Sequence, residues 1–213
     1  MASTHARGGQ TRTARKRQAI LDAATTLFLR EGYLATSMDQ IAAAASVSKQ
    51  TVYKQFTDKR SLFREIVTGT VAEVIDPVAE QVASLRDCTD LAAGLQGLAR
   101  ALLARVIQPR VMQLRRLVIS EAGRFPELGR LFYDGGPGRT IDALAAAFES
   151  LAARGALRLQ DPQLAAEHFN WLVMSIPLNR VMLCGDAELP GQADLDRYAD
   201  AGARAFLAAY GAH

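Results

Sequence analysis

Apolar residues recur along this chain three and four positions apart, the period of helices with one buried face. A first helix is predicted from about Thr13 to Arg30, where Ile20, Leu21, Ala24, Leu27 and Phe28 share a stripe and Gly32 follows the end. Two short helices come next. Ser37 can cap the first of these, with Gln40 three residues on as its capping-box partner, and Ile41, Ala42 and Ala45 fall on its apolar face. Val47 lies in the turn, Ser48 can cap the second, and Val52, Tyr53 and Phe56 read as that helix's apolar face. A long helix then starts at Thr57 or Asp58 and carries Leu62, Phe63, Ile66, Val67, Val74 and Ile75, with Pro77 predicted to kink or interrupt it.

Helix breakers divide the remainder. Asp90 can cap a helix reaching Ile107, which Pro109 closes, and Arg110 to Ala122 forms another that ends at Gly123. Pro126 starts a short helix predicted to stop at Asp134-Gly135-Gly136-Pro137-Gly138, a hinge composition. Thr140 to Arg154 is amphipathic through Ile141, Leu144, Ala145, Phe148, Leu151 and Ala152. Asp161-Pro162 opens an apolar helix to Cys184 with a second kink at Pro177, and a last helix spans about Asp194 to Tyr210. No stretch reads as a strand. The predicted fold class is all-α, a small N-terminal three-helix domain followed by a larger helical one.

Residues 36–63 are the most specific stretch. The outward positions of the second short helix are Lys49, Gln50, Thr51, Lys54 and Gln55, polar or cationic and without a carboxylate. Such a surface suits a groove lined by phosphates and base edges. The spacing resembles the helix-turn-helix of the TetR/AcrR family of transcriptional regulators, whose pattern falls here on Thr36, Ile41, Ala42, Ala45, Val47, Ser48, Tyr53, Phe56, Lys59 and Leu62. One position departs from it: the usual turn glycine is Ser46, and serine adopts a left-handed turn less cheaply. The runs at 114–137 and 151–169 resemble the C-terminal domain of the family's AefR-like subgroup. The resulting division is a disordered basic tail over 1–11, a helix-turn-helix DNA-binding domain over 12–60, and a dimerisation and ligand-binding domain over 61–213.

The resemblance implies a homodimer presenting two recognition helices to successive major grooves of a palindromic operator, roughly 34–36 Å apart. Lys49, Gln50, Thr51 and Lys54 are then the candidates for reading base edges, with lysine suited to guanine and glutamine to adenine. Ser37, Tyr53 and Lys59 would hold phosphates and fix register. Arg15, with Arg12, Lys16 and Arg17, would track the backbone or reach a minor groove. Each has a plainer reading: Lys49 and Lys54 as solvated surface charge, Tyr53 as core, the N-terminal arginines as an ordinary basic tail. The helices over 140–154 and 161–184 would form the dimer pair, with Phe148, Leu151, Trp171, Leu172 and Ser175 as contacts or, alternatively, as core. Met112, Leu117, Glu121, Phe125, Phe132, His168 and Met174 are candidate walls for a small apolar or amphipathic effector. His168 reads more readily as a satisfied buried imidazole than as a ligand or proton sensor.

Charge is unevenly placed. Residues 1–60 hold ten Lys/Arg against four acids, and the other residues fifteen arginines against eighteen acids. This asymmetry suits a basic nucleic-acid reader on a near-neutral body, although an arginine-favouring composition with chance placement gives the same counts. The two cysteines, Cys88 and Cys184, have no metal-ligand spacing, and with no leader sequence evident they suit a reducing cytoplasm. The most apolar run, Phe169 to Cys184, is too short and interrupted to span a bilayer. No nucleophile elbow, phosphate-cradling loop or metal cluster is present, so neither an enzyme nor a cofactor is expected. Two functions remain: a homodimeric repressor released by a small-molecule inducer, or a constitutive DNA-binding or protein-interaction module of the same fold without a ligand.

Overall fold

The computed structural model describes the backbone of residues 4–212 and the side chains of residues 12–212. Its helices are α1 (Thr4–Glu31), α2 (Met38–Ala44), α3 (Lys49–Gln55), α4 (Lys59–Ser84), α5 (Leu91–Val106), α6 (Pro109–Ala122), α7 (Pro126–Tyr133), α8 (Arg139–Ala153), α9 (Pro162–Cys184) and α10 (Gln192–Tyr210). The only extended pairing among the described residues is an isolated antiparallel bridge between Leu157 and Gly211. The all-α expectation holds. None of the described helices is long and apolar enough to cross a membrane.

The capping residues act as their chemistry suggests. Ser37 accepts from Gln40 N while the Gln40 side chain accepts from Ser37 N at 2.7 Å, a complete capping box. Ser48, Asp90 and Asp161 each accept an N–H from the first turn of α3, α5 and α9, satisfying donors that have no partner within the helix.

Two expectations are corrected. The helix α1 begins at Thr4, so residues 4–11 extend it where a disordered tail was predicted, and residues 1–3 lie outside the described residues. Lengthening an existing helix adds one hydrogen bond per residue ordered, which offsets the weak local pattern. The Asp134–Gly138 segment does not stop the chain's helical course: it forms a π-helical turn leading into α8. Pro137 has no N–H for the carbonyl four residues back, so a one-residue slip in hydrogen-bond register accommodates it. Pro77 and Pro177 sit inside α4 and α9, which are not interrupted by them.

By packing, the chain divides into two units. The first contains the residues up to Gly69 together with Leu117–Leu131, and the second contains Thr70–Arg116 and Phe132–His213. The division in α4 thus falls beyond residue 60, and a later segment joins the N-terminal helices. The reason is a shared aromatic core: Tyr33 meets Phe63 at 5.0 Å and Phe125 edge-on at 5.4 Å, while Phe28 meets Phe63 at 5.3 Å. Arg60 also pairs with Glu127. The second unit is centred on Phe148, Phe169 and Phe206, from α8, α9 and α10, all fully buried with ring centroids 4.9–5.8 Å apart. Gly202 of α10 lets that helix lie against α9, because a Cβ there would stand 3.0 Å from the Leu172 carbonyl oxygen.

Candidate nucleic-acid interface and candidate effector pocket

Helix α2 ends in a tight turn in which Val47 N donates to Ala42 O at 3.0 Å and Ser46 N donates to Ala43 O at 3.1 Å. This closure requires a left-handed residue at Ser46, whose φ is +53°. Serine therefore takes the glycine-like conformation at that position. Ile41, Ala42, Val52 and Phe56 bury the inner faces of α2 and α3. Lys49, Gln50 and Lys54 are exposed, Gln50 and Lys54 on the outer side of α3 and Lys49 at its first residue. Thr51 is half-buried, and its hydroxyl lies 2.9 Å from that of the capping Ser48. Of the four base-reading candidates, three are exposed and the fourth is engaged in the cap.

Tyr53 departs from its predicted place on the apolar face of α3. It is 53 % exposed, whereas Val52 and Phe56, four residues apart on one side of the helix, are buried. One residue advances the helix by 100°, which carries the Tyr53 ring off the side that Val52 and Phe56 share. Lys49 has a partner that the pattern of α3 alone does not reveal: its Nζ donates to Asp39 Oδ2 of α2 at 2.5 Å. Both side chains are well exposed, so the pair is weak and easily exchanged for another anion.

Lys59 is corrected more fully. Its Nζ donates to the carbonyl oxygens of Tyr33 at 2.8 Å, Thr36 at 2.8 Å and Leu34 at 3.3 Å, and it lies 4.6 Å from the Tyr33 ring centroid. An ammonium has three N–H donors, so this side chain ties down the loop before α2 and has no donor to spare for a phosphate. Burial holds its pKa below the usual lysine value, with nearby Glu121 opposing that shift and Arg124 adding to it. Arg17 is also committed within its unit, pairing with Glu65 and lying 4.8 Å from the Phe56 ring centroid. Arg12, Arg15 and Lys16 are exposed on α1, and Ser37 is exposed at its cap.

In the second unit a cavity opens among α4, α5, α6, the π turn, α8 and α9, with about 40 Å³ of interior space. Its walls include Val71 and Val74 of α4, Phe132 of α7, and Trp171 and Met174 of α9. Of the expected wall residues, Phe132 and Met174 line it. Met112 is fully buried and absent from the lining; Leu117, Glu121 and Phe125 belong to the first packing unit. His168 is exposed, 2.5 Å from the Tyr210 hydroxyl through Nδ1, and is neither a cavity wall nor a buried imidazole. Arg115 and Asn170 were missed. The sequence offered no signal that set Arg115 apart from its neighbour Arg116 on the same mixed helix.

The expected dimer contacts also separate. Phe148 and Leu151 are core, at 0 % and 1 % exposure. Trp171 and Leu172 are exposed and Ser175 is half-buried, and Leu164, Ile176 and Leu183 join them as exposed apolar residues along α9. Their spacing puts them on one side of that helix. Sequence periodicity marks a residue as apolar-faced but cannot distinguish a face turned inward from one left for a partner.

Comparison with known proteins accords with this geometry. Residues 20–66 match the bacterial regulatory proteins of the tetR family, and residues 93–212 match the AefR-like transcriptional repressor C-terminal domain. A crystal structure of a TetR-family transcriptional regulator from Mesorhizobium loti is 43 % identical, with a TM-score of 0.86 over 94 % of this chain and 98 % of that one. The flavonoid-responsive regulator FrrA is 35 % identical, with a TM-score of 0.75 over 93 % of this chain and 98 % of its own. YhgD of Bacillus subtilis, an HTH-type transcriptional regulator, is 44 % identical over 59 residues, which are 28 % of this chain and 31 % of YhgD. Matches to such curated relatives span less than half of each relative's length. Proteins of this kind regulate transcription by binding DNA and are not enzymes. The chain belongs to the TetR family of transcriptional regulators, with an AefR-like C-terminal domain.

Proposed function

We propose that this regulator is a homodimeric repressor that reads a palindromic operator through α3 and leaves it when a small amphipathic effector fills the cavity of the second unit. The observation that carries the DNA half is the exposure of Lys49, Gln50 and Lys54 on a helix with no carboxylate of its own. Lys49 and Gln50 read base edges there, and Lys54 reads an edge or holds a phosphate. Ser37, Tyr53 and Arg15 fix register on the backbone, the Tyr53 hydroxyl being available because its ring is half out of the core. Thr51 supports the helix start and reaches the groove only if its hydroxyl leaves Ser48.

The apolar side of α9 supports dimerisation. Leu164, Trp171, Leu172, Ile176 and Leu183 form a stripe that a second copy of α9 can cover. An effector would act through α4, which carries Lys59 near its start and the cavity residues Val71 and Val74 further on. Release requires that the effector bind the non-reading conformation more tightly than the reading one. The flavonoid response of FrrA supports a flat, largely aromatic effector.

Binding-site selection from random duplexes at two salt concentrations tests the DNA half. The expected result is an enriched palindrome with half-sites one helical turn apart and affinity that falls steeply with salt. Weak binding of all sequences alike would refute specific reading. A second reading, a constitutive regulator with no ligand, is favoured by the cavity's small volume, since about 40 Å³ admits only a few waters. An effector would therefore have to open the cavity by moving side chains such as Trp171.

A further inference from the structure

The cavity contains one charged side chain. Arg115 of α6 lines it beside Val, Leu, Phe and Met side chains, with Asn170 and Thr140 as neutral polar points. Its Nε is buried and makes no hydrogen bond. No carboxylate among the described residues lies within ion-pair distance of it, and burial alone pushes its pKa below the usual guanidinium value. The Phe132 ring lies 5.1 Å from the guanidinium carbon. That contact is favourable, but it leaves the buried Nε donor in the guanidinium plane unused.

Arg115 is half-buried, and a guanidinium whose Nε is shut off from water with no anion or acceptor costs stability that a methionine in the same place would not. Several other arginines of the second unit are paired. Arg116, the next residue, donates to Asp186 at 2.5 Å and to the Val181 carbonyl at 3.1 Å. Arg139 pairs with Asp76 at 3.0 Å, and Arg100 pairs with Asp200 through two hydrogen bonds. Arg115 is thus a cation prepared on an apolar wall.

Resting on the reading of this cavity as an effector site, we propose that the effector is a small amphipathic monoanion whose carboxylate or equivalent acidic head is held by Arg115. Its apolar body lies against Phe132, Trp171 and Met174. One guanidinium balances one negative charge, and no second cation lines the cavity. Nucleotides and sugar phosphates, with two or more charges, are therefore excluded: they would bury charge with no partner. Asn170 offers a further polar contact to the head or to a ring hydroxyl.

Trp171 lines the cavity and is the only tryptophan in the chain, so its fluorescence reports occupancy directly. The test titrates the full-length protein with acid and amide pairs of the same shape: benzoate and benzamide, 2-naphthoate and 2-naphthamide, octanoate and octanamide. The expected result is that the acid of at least one pair quenches Trp171 with a dissociation constant at least tenfold below its amide's. Arg115→Met should abolish that preference while leaving the amide's affinity within a few-fold, and Arg115→Lys should retain part of it. Removal of the unpaired cation should also leave the ligand-free Arg115→Met protein at least as thermally stable as the parent. Acids and amides binding alike, or a preference that survives Arg115→Met, would overturn the anion assignment while leaving the effector site standing. A large fall in melting temperature for Arg115→Met with no loss of acid preference would make Arg115 a structural residue. If no member of any pair binds at millimolar concentration, the effector site falls, and the anion assignment with it.

Discussion

Ser46 occupies a left-handed position that its Cβ makes unfavourable by about 1 kcal/mol relative to glycine. Nothing in its hydrogen bonds offsets this, because the turn is closed by backbone groups. Ser46→Gly should therefore raise the melting temperature by roughly 2–4 °C in differential scanning calorimetry, since about 1 kcal/mol corresponds to that shift at this chain length. Lys59 makes the opposite case. Lys59→Ala leaves the carbonyls of Tyr33 and Thr36 without their charged donor, at a cost of about 2 kcal/mol. Its effect should appear in urea unfolding, while the salt dependence of DNA binding by the folded fraction stays unchanged. Asp58 caps α4 by accepting from Ser61 N at 2.6 Å, and that bond holds its carboxyl below the ordinary carboxylate value. A depressed pKa contributes stability that is present above about pH 4 and lost as the pH falls through the folded value. The stability difference between the parent and Asp58→Asn should accordingly narrow on acidification below about pH 4; a constant difference would remove the carboxylate's charge from the account.

At the scale of the element, α3 is only seven residues long and contributes a single buried residue within its own span, Val52. Such a helix has little stability alone. It is held by the Ser48 cap, by Phe56 just past its end and by the turn from α2, which leaves its outer face free of packing duties. Substitutions there should alter recognition and leave the fold intact. Gln50→Ala is expected to relax preference at one base position of the selected operator by about 1–3 kcal/mol, with little change in melting temperature. Equal loss across all positions would move Gln50 from base reading to backbone contact. The same scale explains the error at Tyr53: Val52 and the C-capping Phe56 suffice to bury so short a helix, and a third apolar-looking residue need not join them.

For the whole molecule, α9 is buried on one side and apolar on the other, with Phe169 and Val173 inward and Leu172 and Ile176 outward. Isolated exposed apolar residues are ordinary, but five along one helix form a surface that association would cover. The double substitution Leu172→Glu with Ile176→Glu should yield a monomer in analytical ultracentrifugation. Loss of dimerisation removes one of two operator contacts, so affinity for a palindromic duplex should fall at least a hundredfold while helical content is retained. A variant that remained dimeric and bound the operator normally would place the interface elsewhere.

Much of this was legible before any coordinates. Helix number and type followed from apolar periodicity, and the caps at Ser37, Ser48, Asp90 and Asp161 followed from side chains that satisfy the first turn's own N–H groups. Helix α3 was legible for the same reason: its register depends on neighbours within a few residues. These are local interactions, encoded by spacing alone. Phe148 and Trp171 could not be sorted in that way, because both are aromatic residues at helical spacing; their roles depend on which helix packs against which side. Likewise, the carbonyls that surround Lys59, the Asp39 partner of Lys49 and the unpaired Arg115 beside an apolar cavity depend on groups brought together from other parts of the chain. Side-chain spacing carries a helix's face and its ends, whereas burial, pairing and the shape of a cavity arise only once helices distant in the chain close on one another.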